Sequence, residues 1–337
     1  MSKTVLVTGG AGYIGSHCVL ALIENGYEVI IFDNLSTGHI EIVESLKKNG
    51  HVTFVKGDLT EYADIRSVFQ NYSFNSVLHF AAFSQVGESV INPRKYYINN
   101  IFGTLNLLSL MLDCSITRIV FSSTAAIYGA PKSMSVDETH SQEPISPYGN
   151  TKLMIEKVLD DYDSAFGLKS VRLRYFNAAG ADSIGRTGEW HDPETHLIPN
   201  ILKSTFDGGK EFKMFGDDYP TKDGTCVRDY VNVEDLAKAH ILALKYLENG
   251  GKTDCFNIGT KEGNSVKEVF DICKKVTGKD IAVTVEPKRF GDPAVLVSDN
   301  TKAKNILGWI PEKTLTQSIQ TAYNWEVLQH NNQLLHK

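Results

Sequence analysis

The chain has 337 residues, long for one domain, so two lobes sharing a large core are expected. Its 42% hydrophobic and 22% charged content suits a globular protein in water, and a net charge of -6 without a basic cluster excludes nucleic acid as the main partner. No charged-then-apolar leader opens the sequence, no apolar run reaches the ~18 residues of a membrane span, and five scattered cysteines (Cys18, Cys114, Cys226, Cys255, Cys273) form no C-x-x-C pair, so a cytoplasmic protein with reduced thiols and no membrane partner is expected.

Val5 to Thr8 is a short β-branched run that leads at once into Gly9-Gly-Ala-Gly12-Tyr-Ile-Gly15, a strand turning tightly into a helix. Gly9 permits the turn, Gly12 lets backbone approach a pyrophosphate, and Gly15 lets the helix pack on the strand. The amides of Tyr13 and Ile14 then face the phosphates at the positive helix end. Ser16 to Asn25 is predicted helical, and Tyr27 to Asp33 is the next strand, ending on a carboxylate eighteen residues after Gly15. Asp33 is placed to accept from both adenosine ribose hydroxyls and would repel a 2'-phosphate. No Arg stands among Asn34, Leu35, Ser36, Thr37 and Gly38, so the dinucleotide expected is NAD.

A third strand, Val52 to Leu59, brings Asp58 to the adenine amino group and Leu59 to the ring. Tyr62 to Gln70 is predicted helical. Ser76 to Ala82 is strand four, where the small residues Ala81 and Ala82 after Phe80 leave room for cofactor. Pro93 to Leu112 is predicted as one long helix carrying Asn99, and Thr117 to Thr124 as strand five. The alternation predicts an α/β fold, a Rossmann-type doubly wound parallel sheet with ligands beyond the carboxyl ends of its strands, joined to a smaller α/β substrate-binding domain.

The helix from Ser146 to about Phe166 places Tyr148 and Lys152 at i and i+4 on one face, one crossover after a strand ending in Ser122-Ser-Thr124. A free phenol near pKa ~10 is a poor base, and lowering it toward 7 takes roughly 4 kcal/mol. One cation about 4 Å away at an effective dielectric near 20 supplies about that much. Lys152 and an oxidised nicotinamide are therefore expected to bring Tyr148 close to ionisation, ready to take a hydroxyl proton as hydride leaves the same carbon.

Ser170 to Asn177 is the sixth strand, and Ala178 to Pro193 is rich in Gly, Asp and Ala, as in loops of a substrate lobe. A helix begins at His196. Glu211 to Phe215 is a strand, Val227 to Ala237 leads into a helix through Leu247, and Asp254 to Gly259 is a further strand of the main sheet. Ser265 to Thr277 is an amphipathic helix, Ala282 to Glu286 a strand, Arg289 to Asp292 a loop, and Thr301 to Leu307 and Leu315 to Gln329 are helices. The expected division is residues 1–177 for NAD, with 231–260 returning to that unit, and 178–230 with 261–337 for substrate. No His/Cys/Asp cluster has ligand spacing, so no metal is expected.

Gly9-x-x-Gly12-x-x-Gly15, Asp33, Asp58, Tyr148-x-x-x-Lys152 and Val227-Arg-Asp-Tyr-Val-x-Val-x-Asp-Leu-Ala237 resemble the extended short-chain dehydrogenase/reductases. Within that branch the chain is similar, over nearly its whole length, to the UDP-glucose 4-epimerase family. The stretches that carry this are Val5 to His17, His79-Phe-Ala-Ala82, Val86-Gly-Glu-Ser89, Tyr96-Tyr-x-Asn-Asn-x-x-Gly-Thr104, Tyr128-Gly129, Ser146-Pro-Tyr148, Arg174-Tyr-Phe-Asn177, Phe215-Gly-x-Asp-Tyr-Pro-Thr221 and Asp223-Gly-Thr225.

The resemblance implies an isomerase that interconverts UDP-galactose and UDP-glucose on a retained NAD, by removal of hydride from sugar C4, turning of the 4-keto sugar, and return of hydride to its opposite face. Tyr148 would be the acid/base, Lys152 the cation and ribose anchor, and Thr124 the hydroxyl bridging Tyr148 and the sugar O4. Around the cofactor the resemblance adds Asn99, Phe176 and the segment Phe80 to Ser84 to the loop Asp33 to Gly38. For the nucleotide-sugar it adds Asn177, His196, Leu197, the uracil-lining Lys213, Met214 and Phe215, and Arg228, Arg289 and Asp292 at the diphosphate and ribose. Fixed Arg side chains suit a diphosphate because they bind its oxygens in a bidentate way. Leu296 corresponds to a gate over the sugar C2 group, and its bulk implies preference for UDP-galactose and UDP-glucose with weak activity on acetamido sugars. The helices beginning near Pro93 and Pro147 resemble those of a homodimer interface.

The chain departs from the family at Ser84, where some members carry Lys, and at His196, a position that is often Asn. A nucleotide-sugar 4,6-dehydratase carries Asp-Glu directly after the Thr, where this chain has Ala125 and Ala126, so elimination is not expected. The enzymatic alternative is a related epimerase or decarboxylase acting on UDP-GlcNAc or UDP-glucuronate. The non-enzymatic one is an NAD-sensing binding protein, which would have no need of the Tyr148, Lys152 and Thr124 set.

Overall fold

Successive residues of the first strand serve opposite faces: Val5 and Val7 enter one apolar layer, Leu6 the other. A computed structural model describes residues 3–131, 133, 135–206, 211–288 and 292–335, and the side chains through residue 331. Its strands are β1 Lys3–Thr8, β2 Tyr27–Asp33, β3 Val52–Lys56, β4 Ser76–His79, β5 Arg118–Thr124, β6 Ser135–Val136, β7 Lys169–Tyr175, β8 Asn177–Ala179, β9 Phe212–Phe215, β10 Val227–Asn232, β11 Asp254–Ile258, β12 Gly263–Ser265, β13 Val283–Glu286 and β14 Val295–Ser298. The main sheet has the order β11-β7-β5-β4-β1-β2-β3, and every pairing in it is parallel. Strand order reverses between β1 and β4, and that reversal opens a crevice beyond the carboxyl ends.

The two apolar layers make this a doubly wound Rossmann-type sheet. Leu20 and Leu22 of helix Tyr13–Glu24, with Leu236 and Leu244 of helix Val233–Glu248, cover one face. Ile65 and Val68 of Tyr62–Asn71, Leu107 and Met111 of Gly103–Asp113, and Ile155 and Leu159 of Pro147–Phe166 cover the other. A third core gathers Ile198, Ile201, Phe212, Val269, Phe270 and Ile319 beneath β9 and β10. There β10 pairs with β8, β12 and β14, while β9 pairs with β13. The helix Val266–Thr277 starts on a capping box between Ser265 and Glu268, which satisfies two amides of the first turn.

Several boundaries differ from the sequence expectation, each for a local reason. The strand predicted to run to Ala82 ends at His79, because the amides of Phe80 and Ala81 both donate to the Thr8 carbonyl, at 2.9 and 3.1 Å. The strand predicted to reach Leu59 ends at Lys56, and Asp58 instead closes a turn with Thr60. The strand predicted through Asn177 divides at Phe176: β7 stays in the main sheet and β8 joins β10. The long helix runs from Pro93 to Asp113 but contains a π-helical segment, Tyr97–Phe102. Asn100 in that segment holds the Phe83 amide and carbonyl, at 2.9 and 3.0 Å. Among the described residues no helix is long and apolar enough to cross a membrane.

Candidate active site

The strand ends open into a cleft of about 1520 Å³, above the 300–1,000 Å³ common for a single ligand. On one side lies the glycine turn. Gly9 has φ +73°, and a Cβ on it would stand 2.6 Å from the Ala81 amide nitrogen. A Cβ on Gly15 would stand 2.1 Å from the Gly9 carbonyl oxygen, so neither position admits a side chain. Gly12, Tyr13, Ile14 and Gly15 line the cleft at a positive helix end. The Tyr13 hydroxyl donates to the Gly180 carbonyl at 2.6 Å, tying this turn to the substrate lobe.

Asp33 at the end of β2 accepts from the amides of Ala11 (3.0 Å) and Leu35 (2.8 Å); burial raises its pKa and those two bonds oppose the rise. Burial also acts to raise Asp58, but hydrogen bonds from Thr60 and Asn34 leave it below its ordinary value. These features fit a dinucleotide: a turn that admits no Cβ at Gly9 or Gly15, a helix N-terminus, and a carboxylate at a strand end with no cation in the following loop. Asn34, Ser36, Thr37, Leu59, Phe80, Ala81, Ala82, Ser84, Asn99 and Phe176 also line the cleft. Leu35 and Gly38 do not. Leu35, at φ 60°, turns its amide onto Asp33, and Gly38 lies against Ala11, where a Cβ would meet the Ala11 side chain at 2.8 Å.

Tyr148 and Lys152 project from helix Pro147–Phe166, which begins on Ser146 as N-cap with the Gly149 amide donating to its hydroxyl at 3.2 Å. Thr124 ends β5, and its hydroxyl accepts from the Ala126 amide at 3.1 Å. Tyr148, Lys152 and Thr124 all line the cleft. Burial pushes the Tyr148 phenol up to about 12, while a hydrogen bond with Thr124 acts the other way. Lys152 is 2% exposed, and burial lowers its pKa to about 7, with Glu156 opposing. Its Nζ donates to the Ser122 carbonyl at 2.7 Å and lies 6.0 Å from the centre of the Tyr148 ring. The expected acidification of Tyr148 by Lys152 is therefore not present in the protein alone, because burial outweighs a cation that is not in contact with the phenol.

Behind Lys152 sits a buried ion pair that motif reading missed. Glu156, one turn further along the same face, takes Arg174 Nε and Nη2 at 3.0 and 2.6 Å and the Ser123 hydroxyl at 2.5 Å. Arg174 also donates to the Tyr128 hydroxyl at 2.9 Å. The i, i+4, i+8 spacing from Tyr148 was the available signal, but Glu is ordinary on a helix surface and gave no reason to expect burial.

On the opposite wall Asn177, His196, Leu197, Lys213, Phe215, Arg228, Asp292 and Leu296 line the cleft. Met214 does not: alternation along β9 turns it into the third core while Lys213 is exposed. Arg228 is held by the carbonyls of Val227 and Pro293, at 2.9 and 2.7 Å, with Asp292 at 3.7 Å. Arg289 lies outside the described residues. The Asp229 of the Val227-Arg-Asp-Tyr motif is structural, accepting from Thr260, Lys261 and Ser298 and so tying β10 to β14 and the end of β11. His196 turns its Nδ1 onto Glu189, 2.5 Å away. Burial disfavours its charged form, but Glu189 and Glu194 raise its pKa to about 9. The fold also brings Glu189, His191, Glu194 and His196 together, a convergence that the sequence reading, which expected no metal, did not single out.

The family model for GDP-mannose 4,6 dehydratase matches residues 6–322. A UDP-glucose 4-epimerase of Lactobacillus helveticus is 50% identical over 322 residues, covering 95% of this chain and 96% of that protein. A crystal structure of UDP-glucose 4-epimerase from Brucella ovis in complex with NAD superposes with a TM-score of 0.91 at 42% identity, over 96% of this chain and 98% of that one. The Bifidobacterium longum UDP-glucose 4-epimerase in complex with NAD+ and UDP gives a TM-score of 0.93 at 37% identity, over 98% and 99%. With Ala125 and Ala126 standing after Thr124 rather than carboxylates, the chain belongs to the GDP-mannose 4,6 dehydratase family of extended short-chain dehydrogenase/reductases and, within it, to the UDP-glucose 4-epimerases.

Proposed function

We infer that the chain interconverts UDP-galactose and UDP-glucose, with NAD as a resident cofactor. The observation that carries this is the convergence of Tyr148, Lys152 and Thr124 on the cleft that the Gly9 to Gly15 turn also lines. NAD, when bound, would supply the positive charge beside the phenol and the acceptor and donor of hydride for sugar C4. The chain's own part is to move one proton. Tyr148 Oη takes it from the sugar O4 and gives it back, Thr124 orients the phenol through their hydrogen bond, and Lys152, fixed on the Ser122 carbonyl, holds the cofactor ribose.

The two lobes divide the ligands as residues 1–177 with 231–260 for NAD, and 178–230 with 261–337 for the nucleotide-sugar. Asn177, His196, Leu197, Lys213, Phe215, Arg228, Asp292 and Leu296 hold the latter, with Arg289 joining the diphosphate contacts. Ser84 adds no charge to the cofactor pyrophosphate. The chain acts as a homodimer. Support comes from Val90, Ile91, Ile98, Phe102 and Met154, which are exposed on the helices between Val86 and Asp113 and on Pro147–Phe166, Ile91 at 86%. An apolar stripe of this kind marks an interaction face. The free thiols of Cys18, Cys114, Cys255 and Cys273 support a reducing cytoplasm. The test is incubation with UDP-galactose and no added NAD. UDP-glucose is the expected product; a 4-keto-6-deoxy sugar, or no product, would overturn the assignment.

A further inference from the structure

Glu189, His191, Glu194 and His196 belong to one loop between β8 and the helix Leu197–Lys203, and their four ligand atoms lie within 4.8 Å of one another. His196 Nδ1 stands 2.5 Å and His191 Nδ1 3.2 Å from the same oxygen, Glu189 Oε1. The same two nitrogens stand 3.6 and 3.9 Å from Glu194 Oε1. Four ligands around zinc at about 2.0–2.1 Å are roughly 3.4 Å apart, in the middle of these separations.

Two further observations favour a ligand over a self-contained cluster. His191 Nδ1 is buried and, despite its proximity to Glu189, has no hydrogen-bond partner. The carboxylates of Glu189 and Glu194 are only 7% and 6% exposed, and Lys203 meets Glu194 through its other oxygen, Oε2, at 3.3 Å while also lying 3.8 Å from Glu326. Within the four side chains two buried carboxylates face one imidazolium, that of His196, and Lys203 is shared with Glu326, so a bound cation completes the charge balance.

The surroundings hold the loop and its carboxylates in place. The amides of Thr195 and His196 donate to Glu194 Oε1, at 2.8 and 2.9 Å. The Trp325 indole donates to the Glu189 carbonyl at 2.9 Å. Trp190 stacks on His39 with centroids 3.8 Å apart and planes 7° apart. Hydrogen-bonded ligating carboxylates and a fixed loop are what a metal site requires around its ligands.

We propose that Glu189, His191, Glu194 and His196 bind one divalent transition-metal ion, zinc by preference, as a structural clip on the wall of the cleft. Two imidazole nitrogens and two carboxylate oxygens suit Zn²⁺ and Co²⁺ and provide four ligands without the open position of a catalytic site. The ring of His191 meets Tyr13 edge-on at 6.3 Å, so the ion pins the loop that joins the glycine turn to the helix Leu197–Lys203. His196 then meets the ion through Nδ1, the ring atom already turned onto Glu189.

The test uses the full-length protein stripped with chelator, with Co²⁺ and Zn²⁺ as probes and no substrate present, so it is independent of the epimerase assignment. Titration is expected to give one Co²⁺ per chain with visible d–d absorption, displaced by one equivalent of Zn²⁺, and a rise in melting temperature on loading. His191→Ala and Glu194→Gln should each weaken uptake by tenfold or more. The metal-free His191→Ala protein should melt where metal-free wild type does. Failure of the wild-type chain to take up either ion stoichiometrically, or uptake unchanged in both variants, would overturn the proposal.

Discussion

Replacing Glu156 by Gln separates two consequences of one buried carboxylate. Glu156 and Arg174 are 4% and 3% exposed and joined by two hydrogen bonds, at 3.0 and 2.6 Å. Removing the carboxylate charge leaves a buried guanidinium without its counter-ion, a loss of about 3–5 kcal/mol. A 337-residue chain unfolds with an entropy of roughly 0.7 kcal/mol/K, so the melting temperature should fall by roughly 4–7 °C. The second consequence concerns Lys152, which burial already lowers to about 7 against the pull of Glu156. Without that pull Lys152 loses its proton at lower pH, and about 1.4 kcal/mol of lost attraction moves it by one pH unit.

The assays are a thermal melt and kcat against pH, at saturating UDP-galactose with added NAD. The limb on which activity falls as pH rises should move to lower pH. In the double variant with Arg174→Met, part of the lost stability should return while the shifted pH profile remains. An unchanged melting temperature, or a pH profile superimposable on wild type, would refute the reasoning.

Three other outcomes follow from the same geometry. Gly15→Ala forces a Cβ to within 2.1 Å of a backbone carbonyl, so the purified variant should carry little bound nucleotide, read from its absorbance and mass after denaturation; full NAD content would contradict the tight turn. Leu296→Ser should raise turnover of UDP-GlcNAc relative to UDP-galactose by roughly tenfold, and an unchanged ratio in competing-substrate assays would remove Leu296 as a gate. Burial lowers His79 to about 3 and His240 to about 4. The unfolded chain then binds these protons first, near pH 6.5, so the stability they contribute is intact above that pH and is lost as pH falls toward 4, by up to about 1.4 kcal/mol per unit for each group. Urea midpoints at pH 7 and pH 5 measure this, and equal midpoints would contradict it.

The parts of the fold visible in the sequence are those with strong local patterns. Long amphipathic helices and β-branched runs ending in Gly9, Asp33 or Thr124 announce the main sheet, and each of those residues stands where a parallel sheet places its ligands. Strands β6, β12 and β14 have two to four residues, too few for a period to show, and they form through pairing with distant segments. Met214 stands off the cleft while its neighbours line it, because a motif names a stretch whereas a strand alternates its faces. Glu156 and the cluster at Glu189 to His196 were hidden for a related reason: spacing puts Glu156 on the face of Tyr148 and Lys152, but burial and convergence arise from tertiary packing. The expected acidification of Tyr148 rested on charge alone, and the desolvation that opposes it appears only once the helix is docked against β5.

The measurement closest to the chemistry is the rate of UDP-galactose conversion by Tyr148→Phe, made with the bound NAD content of the same preparation. Tyr148 lines the cleft with Thr124 as its hydrogen-bond partner, and Phe removes only the hydroxyl that moves the proton. Loss of a positioned acid/base predicts a fall of about 10²–10⁴-fold in kcat with NAD retained. A Phe variant that carries NAD and converts UDP-galactose at the wild-type rate would contradict the account.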